Sequence, residues 1–419
     1  MFHSLINAFK IYQDRRMITI LALGFSSGLP LALVIGTLTL WLKDSGIALA
    51  TIGTISLVKT PYSFKWGWAP FVDRVKLPLL SKLGQRRSWV LLSQLMLFLG
   101  ILGMSLVDVQ KSLIPLVITA IIVVIASATQ DIVVDAYRIN IFSKKEQAAG
   151  AAVNTLGYRI GMIFSGAGAL FLSDVISWNK VYALMSLGTW VGIIAILCSA
   201  EPKQKIRTKY KNVSDFIKTS VIAPLSDFFK RPNYLTILAF IFFYRMSDAY
   251  MGQMAYPFFD DLGFTKSQIA TASKIYGMIA TIGGGFIGGI LMNKLSMYKG
   301  LFWCCILQSV TNFIYVLQAQ IGNDFAMLCT TIGFDNIASG MATIAFVAYL
   351  SSLCNRKYTA TQYALLTSLM TLSRDIFAST SGWLAETISW EMFFIATVFM
   401  GIPGLLLIFK LQKLDKTNS

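Results

Sequence analysis

Long apolar runs alternate along the whole chain with shorter polar stretches. Twelve such runs can be counted, and each is close to the ~20 residues that a helix needs to cross a bilayer. Their approximate limits are 17–42, 50–70, 88–107, 113–141, 148–173, 179–200, 234–258, 267–293, 299–318, 324–351, 359–385 and 391–410. The pattern predicts an all-α polytopic membrane protein with twelve transmembrane helices.

One polar stretch is longer than the others, and it divides the apolar runs six from six. This stretch covers residues 201–233. It separates a predicted amino-terminal six-helix bundle, 1–200, from a predicted carboxy-terminal six-helix bundle, 234–419. We therefore expect two bundles joined by a polar linker.

The two halves share short phrases in the same order. An Asp-x-Gly phrase begins at Asp44 and again at Asp261, and an Ile-Ser-Trp phrase ends at Trp178 and again at Trp390. Ordered matches of this kind indicate an internal duplication. Two six-helix repeats related by an axis along the membrane normal describe the major facilitator architecture, which is the fold that we expect.

Composition and charge agree with this interpretation. The chain is 55% hydrophobic and only 13% charged, whereas soluble proteins contain about 25% charged residues. Of its 36 Lys and Arg residues, 25 lie in the amino-terminal arm, alternate loops and the tail, and four lie in the opposite loops. This bias predicts that both termini are cytoplasmic. The net charge of +16 would then face anionic lipid, so we expect no nucleic-acid partner.

Histidine and cysteine usage excludes several kinds of chemistry. His3 is the only histidine, and the five cysteines form no Cys-x-x-Cys motif. We therefore expect no metal site, no cofactor and none of the hydrolase chemistries that use an internal histidine. The sequence predicts that the protein is not an enzyme, and we expect it to be a monomer.

Three charged residues lie inside the apolar run 113–141. Spacings of four and three residues place Asp131, Asp135 and Arg138 on one face of the predicted helix. Charge inside a bilayer is costly, so it normally faces a cavity or a partner. We interpret the two carboxylates as proton-coupling groups. A structural ion pair that locks two helices together is the alternative.

The loop after the second apolar run carries a more specific pattern. Ala69-x-x-x-Asp73-Arg74, followed by Gly84-Gln85-Arg86-Arg87, resembles the G-x-x-x-D-R-x-G-R-R signature of major facilitators, although an insertion stretches it. The resemblance implies a charge clamp between helix ends that gates the cytoplasmic side. The predicted gate residues are Asp73, Arg74, Arg86, Arg87 and Arg138. A solvated basic loop is the alternative.

Longer phrases resemble one family over nearly the whole chain. They are RRMITILALGFSSGLPLAL from Arg15, SLVKTPYSFKWGWAPFVDR from Ser56, QDIVVDAYR from Gln130, GAAVNTLGYRIGM from Gly150, YRMSDAYMGQM from Tyr244, ATIGGGFIGG from Ala280 and YTATQYALLTSL from Tyr358. The sequence thus resembles the AmpG-type muropeptide permeases, which are proton-driven major facilitators of the bacterial inner membrane. One departure is Lys59, which stands where we expect a small residue.

The depth of the remaining charged residues suggests a binding site. At about 1.5 Å per residue, Arg159, Arg245 and Asp248 lie near the bilayer midplane, and Asp335 reaches a similar level. We predict that Asp248 takes part in proton coupling, because in this fold its helix lines the central cavity. The predicted substrate-binding residues are Arg159, Arg245, Arg374, Lys274, Tyr158 and Gln362.

Several of these residues have an alternative interpretation. Arg offers a planar fork to a carboxylate, which suits an anionic solute, whereas Tyr158 could serve packing alone. Gln362 either contacts the substrate or caps a helix. Because Arg374 and Asp375 are adjacent, we expect them to point to different faces and not to share one cavity.

The leading hypothesis is the function that the resemblance implies, which is proton-coupled import of anhydro-muropeptides across the inner membrane. A second hypothesis is a major facilitator for another anionic solute, such as an acetyl-CoA-like metabolite or an exported drug. A third is a membrane enzyme or receptor that transports nothing. The missing internal histidine and soluble domain argue against the third.

Overall fold

The computed structural model describes residues 11–47, 51, 55–59, 61–78, 80–202 and 212–418. Every regular element in those ranges is helical, and short 3-10 and π turns join several of the α-helices. The α-helices are α1 Arg15–Ala32, α2 Leu38–Asp44, α3 Pro61–Phe64, α4 Ala69–Arg74, α5 Gln85–Ser105, α6 Ile114–Ile141, α7 Gln147–Ser173, α8 Trp178–Leu187, α9 Trp190–Leu197, α10 Val213–Ile217, α11 Ala223–Phe229, α12 Tyr234–Phe243, α13 Met246–Asp261, α14 Lys266–Thr271, α15 Gly277–Lys294, α16 Met297–Ile321, α17 Phe325–Leu353, α18 Thr359–Thr387, α19 Trp390–Phe399 and α20 Ile402–Asn418.

Seven helical segments in the described part of the chain are long and apolar enough to cross a membrane. They are Gln85–Ser105, Ile114–Ile141, Gln147–Ser173, Trp178–Leu197, Met297–Ile321, Phe325–Leu353 and Trp390–Asp415. Other predicted runs are divided. α1 passes through a π turn at Leu33–Thr37 into α2, and α12 and α13 are separated at Tyr244 and Arg245. The count of twelve spans therefore stays a prediction.

The internal repeat has the same hydrogen bond in both halves. The indole N–H of Trp178, at the start of α8, donates to Asp44 over 3.0 Å. The indole N–H of Trp390, at the start of α19, donates to Asp261 over 3.0 Å. Gly46 and Gly263 follow these aspartates and have φ of 76° and 81°, a region that only glycine adopts without strain. The repeated phrases thus form the same turn and the same contact.

Glycines allow two helix pairs to pack with their backbones in contact. A Cβ on Gly157 of α7 would lie 2.1 Å from the carbonyl oxygen of Leu21 in α1, and one on Gly161 would lie 2.1 Å from that of Phe25. A Cβ on Gly284 of α15 would lie 2.2 Å from a carbonyl oxygen of α17. Small residues at such positions are what close packing in a membrane requires.

The buried apolar clusters show where the two halves meet. One cluster, between Leu29 and Met185, belongs to the first half alone, and another, between Met251 and Phe394, belongs to the second half alone. Two further clusters combine the halves. They lie at the end of the bundle where α1, α5 and α18 begin, which we call the basic end. The opposite end, where α8 and α19 begin, is called the far end.

The shared clusters contain small side chains at the contact. Ala360 and Ala364 of α18 pack among first-half residues, and Ala148 and Ala152 of α7 pack among second-half residues. The halves therefore share a packed core at the basic end and have separate cores at the far end. The structure is closed at the basic end.

Candidate functional site

A cavity of about 1010 Å³ lies between the two halves. It is lined on one side by Asp131 of α6, Tyr158 of α7 and the segment around α3, and on the other side by the middle of α18, including Arg374. Three residues that the sequence analysis selected, Asp131, Tyr158 and Arg374, therefore face one space. That space is large enough for a small organic solute.

Two lysines in the cavity lining were not in the predicted binding set. Lys59 and Lys65 flank the short helix α3 and line the same cavity as Asp131. Tyr62 lies between them in sequence, and its hydroxyl donates to Ser127 of α6 over 2.6 Å. This bond holds the segment against α6. The described parts of the run 50–70 are short helical segments of three to six residues, so helical periodicity could not place these lysines.

Arg374 and Asp375 correct one expectation. Both line the cavity, and a guanidinium nitrogen of Arg374 lies 3.5 Å from a carboxylate oxygen of Asp375. Their side chains are 65% and 63% exposed. The expectation that adjacent residues cannot share a cavity was wrong, because long exposed side chains can bend toward the same space.

The intramembrane aspartates differ in their partners. Asp135 is paired with Arg138, with nitrogen and oxygen 3.4 Å apart, and Asp248 is paired with Arg245. Asp131 instead lines the cavity and interacts electrostatically with Lys65. Of the three predicted proton-coupling residues, Asp131 is therefore the one that faces the cavity.

Arg245 stands at the break between α12 and α13. Its guanidinium binds the carboxylate of Asp248 and the hydroxyl of Thr343, and it donates to Ser339 over 3.1 Å. Ser339 in turn donates to Asp248 over 3.0 Å. Arg245 is thus held by α13 and α17, and its predicted role as a substrate ligand would require these bonds to rearrange.

Asp335 of α17 accepts two neutral hydrogen bonds. Gln308 and Tyr315 of α16 both donate to it over 3.3 Å. Helix rise places Asp335 near the bilayer midplane, and the sequence gives no signal for its role. The partner residues sit in an ordinary apolar run, and no sequence pattern marks them.

Two other predicted substrate residues, Arg159 and Gln362, lie outside this lining. Arg159 follows Tyr158 on α7 and is partly buried, and the cavity lining does not include it. The side chain of Lys274 lies outside the described residues. Gln362 is 1% exposed, and its amide binds Asp227 over 2.8 Å and the backbone N–H of Asn355 over 2.7 Å. This placement favours the capping alternative for Gln362.

Asp73 lies at the centre of the contact that joins the two halves at the basic end. Its carboxylate accepts from Arg86 over 2.6 Å. It also accepts from the backbone N–H groups of Ala360 and Thr361, over 3.1 and 2.7 Å, and from the Thr361 hydroxyl over 2.7 Å. The first turn of α18 has backbone N–H groups without helical partners, so a carboxylate is stabilised there. We call this contact, Asp73 with Arg86, Ala360 and Thr361, the clamp.

Arg74 and Arg138 add contacts between the halves near the clamp. The Arg74 guanidinium lies 4.7 Å from the ring centre of Tyr358, a cation–π distance. Arg138 is fully buried and donates to Ser351 of α17 over 3.2 Å and to Tyr363 of α18 over 3.3 Å. Both arginines therefore connect first-half helices to second-half residues.

Arg87 makes its contacts within the first half. Its guanidinium donates to the carbonyl oxygens of Ile196 and Leu197, over 3.0 and 2.8 Å, at the end of α9. Its backbone N–H donates to Glu201 over 3.0 Å. The structure thus brings Asp73, Arg74, Arg86 and Arg138 to the contact between the halves and places Arg87 on the carboxyl end of a neighbouring helix.

The second-half partners of these residues were missed by sequence reasoning. Tyr358, Thr361 and Tyr363 all come from the phrase that begins at Tyr358, in which only Gln362 has a predicted role. A polar cluster at a helix start is a weak signal for contacts with residues 225 to 288 positions away in the chain. Only the three-dimensional packing brings α4 to α18.

Comparison with known proteins agrees with this architecture. The sequence profile of the Major Facilitator Superfamily matches residues 20–374 and 260–419. A Rickettsia felis protein described as a transporter, AmpG 4, is 39% identical over 408 residues, which cover 96% of this chain and 98% of the relative. The anhydromuropeptide permease of Escherichia coli K12 is 38% identical over 401 residues, which cover 95% of this chain and 80% of the permease.

A solved structure also shares the fold. The crystal structure of the human organic anion transporter MFSD10 matches with a TM-score of 0.59 and 13% sequence identity, and the match covers 94% of this chain and 99% of that one. At this low identity the likeness concerns the arrangement of helices alone.

Proposed function

Because this chain belongs to the Major Facilitator Superfamily and, within it, to the AmpG transporters, we propose that it imports anhydro-muropeptides together with protons. It is a transporter with the major facilitator fold and not an enzyme. The proposed setting is the bacterial inner membrane, with both termini in the cytoplasm and the protein working as a monomer. No nucleic-acid partner is proposed.

The observation that carries the proposal is the cavity between the halves. It contains three cationic side chains, Lys59, Lys65 and Arg374, and a wall of apolar and aromatic residues that includes Tyr158. A muropeptide has carboxylates for such cations and a sugar ring that can stack on an aromatic side chain. Arg374 supplies the planar fork that binds a carboxylate through two hydrogen bonds. Its side chain is 65% exposed, which suits first contact with an arriving solute.

Asp131 is the proposed proton carrier. It faces the same cavity as the cations, so its protonation would change the charge that a substrate meets. A carboxyl group can take a proton when it is desolvated and release it when a cation approaches. Lys65 is the cation beside it. Asp135 and Asp248, each held by an arginine, would take part only when those ion pairs open.

The clamp and the shared clusters support an alternation of access. In the proposed orientation the basic end is cytoplasmic, and the structure is then the state in which the cytoplasmic side is closed. Import requires the clamp to open while the far end closes.

Uptake competition tests the substrate. The purified protein is reconstituted in liposomes, and uptake of radiolabelled anhydro-muropeptide is measured against an excess of unlabelled muropeptide, free amino sugar or acetyl-CoA. The proposal expects unlabelled muropeptide to compete at the lowest concentration. Stronger competition by acetyl-CoA would favour the second hypothesis, in which the solute is a more highly charged anion. The observation that supports this hypothesis is the additional cation Lys59 in the cavity lining.

A further inference from the structure

A second hollow of about 940 Å³ lies at the basic end, on the outside of the bundle. Its walls are apolar residues of α1 and α9, among them Ile18, Ala22, Val191 and Ile194. Ile18 and Ile194 are 67% and 58% exposed, as expected for side chains that face lipid tails rather than water. We call this hollow the lateral groove.

Arginines close the lateral groove at the level of the helix ends. Arg15, the first residue of α1, and Arg356, in the loop before α18, both line it. Arg15 is exposed. Glu201 also lines the groove, but its carboxylate accepts the backbone N–H groups of Arg86 and Arg87 at the start of α5, over 2.8 and 3.0 Å. The negative charge is thus directed at a helix start, and the rim of the groove is basic.

The lateral groove therefore has two chemical zones at the depth where a membrane changes from headgroup to hydrocarbon. Arg15 begins α1 and Ala22 lies seven residues later, so the apolar wall starts at the rim and reaches about 10 Å inward. A basic rim above an apolar slot is complementary to a phospholipid with a net negative headgroup. A free anion would match the rim but not the wall.

The rim of the lateral groove includes residues from both halves. Arg15 belongs to α1, whereas Arg356 follows α17 and donates to the carbonyl oxygen of Phe142 over 3.3 Å. Next to it, the Thr359 hydroxyl donates to Asn140 over 2.9 Å. These contacts cross from the second half to the first, and Asn140 also lines the groove. The complete rim exists only while the basic end is closed.

We propose that the lateral groove binds one anionic phospholipid, with its phosphate between Arg15 and Arg356 and an acyl chain along α1 and α9. Such a lipid stabilises the closed basic end, because opening separates its two cationic contacts. The stabilisation of the closed end rests on the alternation of access proposed above, whereas lipid binding itself is independent of it.

Native mass spectrometry of lipid binding tests the site directly. Wild-type protein is held in nanodiscs of phosphatidylcholine with increasing phosphatidylglycerol and is released for measurement with its bound lipid. A phospholipid-facing Arg near the membrane surface contributes about 1 kcal/mol. Arg15→Ala should therefore weaken phosphatidylglycerol binding about fivefold, and Arg15→Lys should retain most of it.

The matched control is Lys145→Ala, which removes an exposed cation at the same end but outside the lateral groove. It should leave phosphatidylglycerol binding unchanged. Equal binding by wild type and Arg15→Ala would overturn the site. An equal loss in Lys145→Ala would also overturn it, because the effect would then be general surface attraction.

A labelling arm tests the preference for the closed state. Ala364→Cys is introduced after the native cysteines are replaced, and its reaction with a water-soluble maleimide is timed in nanodiscs with and without phosphatidylglycerol. Phosphatidylglycerol should slow the reaction in the parent and not in Arg15→Ala. If the lipid binds but the two rates agree, the conformational statement is rejected. The proposed transport function would stand in either case, because uptake is measured independently.

Discussion

Asp131 lines the cavity, whereas the other two predicted proton-coupling residues, Asp135 and Asp248, form ion pairs with arginines. We predict that Asp131→Asn abolishes the accumulation of substrate driven by a pH gradient and spares exchange of labelled for unlabelled substrate, because an amide cannot carry a proton across the membrane. Uptake and exchange in the same proteoliposomes measure the two quantities.

The control for this prediction is Asp108→Asn, which changes an exposed carboxylate in the loop between α5 and α6 that is paired with Lys111. It should retain both accumulation and exchange. An Asp131→Asn variant that still concentrates substrate under a pH gradient would show that the proton travels elsewhere.

Arg374 lines the cavity with a side chain that is 65% exposed, and it meets an anionic solute without first losing a strong ion pair. Arg374→Lys keeps the charge but loses the planar fork, so the apparent affinity for muropeptide should fall by roughly tenfold, about 1.4 kcal/mol. The measurement is the KM of uptake at equal expression. Arg159→Lys, which lies outside the cavity lining, should change KM less, and the reverse order would contradict the assignment.

At the residue scale, the sequence was informative where a charge lies in a regular apolar helix. The spacing of Asp131, Asp135 and Arg138 was enough to place them on one face of α6, and Asp73 with Arg86 followed from a motif. The positions of Lys59 and Lys65 in the cavity could not be predicted, because both lie in short 3-10 segments rather than in a long helix. The partners of Asp73 on α18 could not be predicted, because they are distant in the chain.

Among the elements, α1 and α7 form the closest described pair, since Gly157 and Gly161 meet carbonyl oxygens of α1. We predict that Gly161→Ala lowers the melting temperature of the purified protein by several degrees, because the new methyl group would lie 2.1 Å from the oxygen of Phe25 and force the helices apart. Gly166→Ala on the same helix adds a methyl in ordinary contact, 3.7 Å from Ala32, and should change the melting temperature little. Equal losses in both variants would show that the close contact with α1 is not what makes Gly161 necessary, because alanine has the higher helix propensity at either position.

The helices themselves could be predicted well from hydrophobicity. The runs 88–107, 113–141, 148–173 and 324–351 correspond closely to α5, α6, α7 and α17. The run 234–258 was predicted as one helix and is divided at Arg245. Apolar runs do not reveal such breaks, because the unpaired backbone groups are satisfied by tertiary contacts that hydrophobicity does not report.

For the molecule as a whole, the clamp is the contact that must open in every transport cycle. Asp73→Asn removes the ion pair with Arg86 and weakens the bonds to the start of α18, so the population should shift toward the state that is open at the basic end. Only a few kcal/mol separate two populated states, so the loss of these bonds is large enough to be visible. Ala364→Cys, buried in the closed state at 2% exposure, should react faster with a water-soluble thiol reagent in this variant.

Substrate affinity under equilibrium exchange should change little, because Asp73 is not part of the cavity lining. Lys145→Cys, which is exposed in the closed state, controls for access of the reagent. Unchanged reactivity of Ala364→Cys, or loss of binding without a change in reactivity, would reject the gating role of Asp73.

The duplication was visible in the sequence only as scattered phrases, yet these phrases turned out to be equivalent contacts, Asp44 with Trp178 and Asp261 with Trp390. What could not be predicted is the conformational state, that is, which end of the molecule is closed. The sequence is the same whether the basic end is open or closed, and only the clamp and the packed clusters in the folded structure show that this end is closed.

Proton-coupled import can be measured as the accumulation of labelled anhydro-muropeptide in proteoliposomes. With the outside acidic and the inside neutral, we expect internal substrate above the external concentration, and a protonophore should return it to equilibrium. Uptake that never exceeds the external concentration would contradict proton coupling. Uptake no greater than in protein-free liposomes, from protein that is folded and oriented, would contradict muropeptide transport itself.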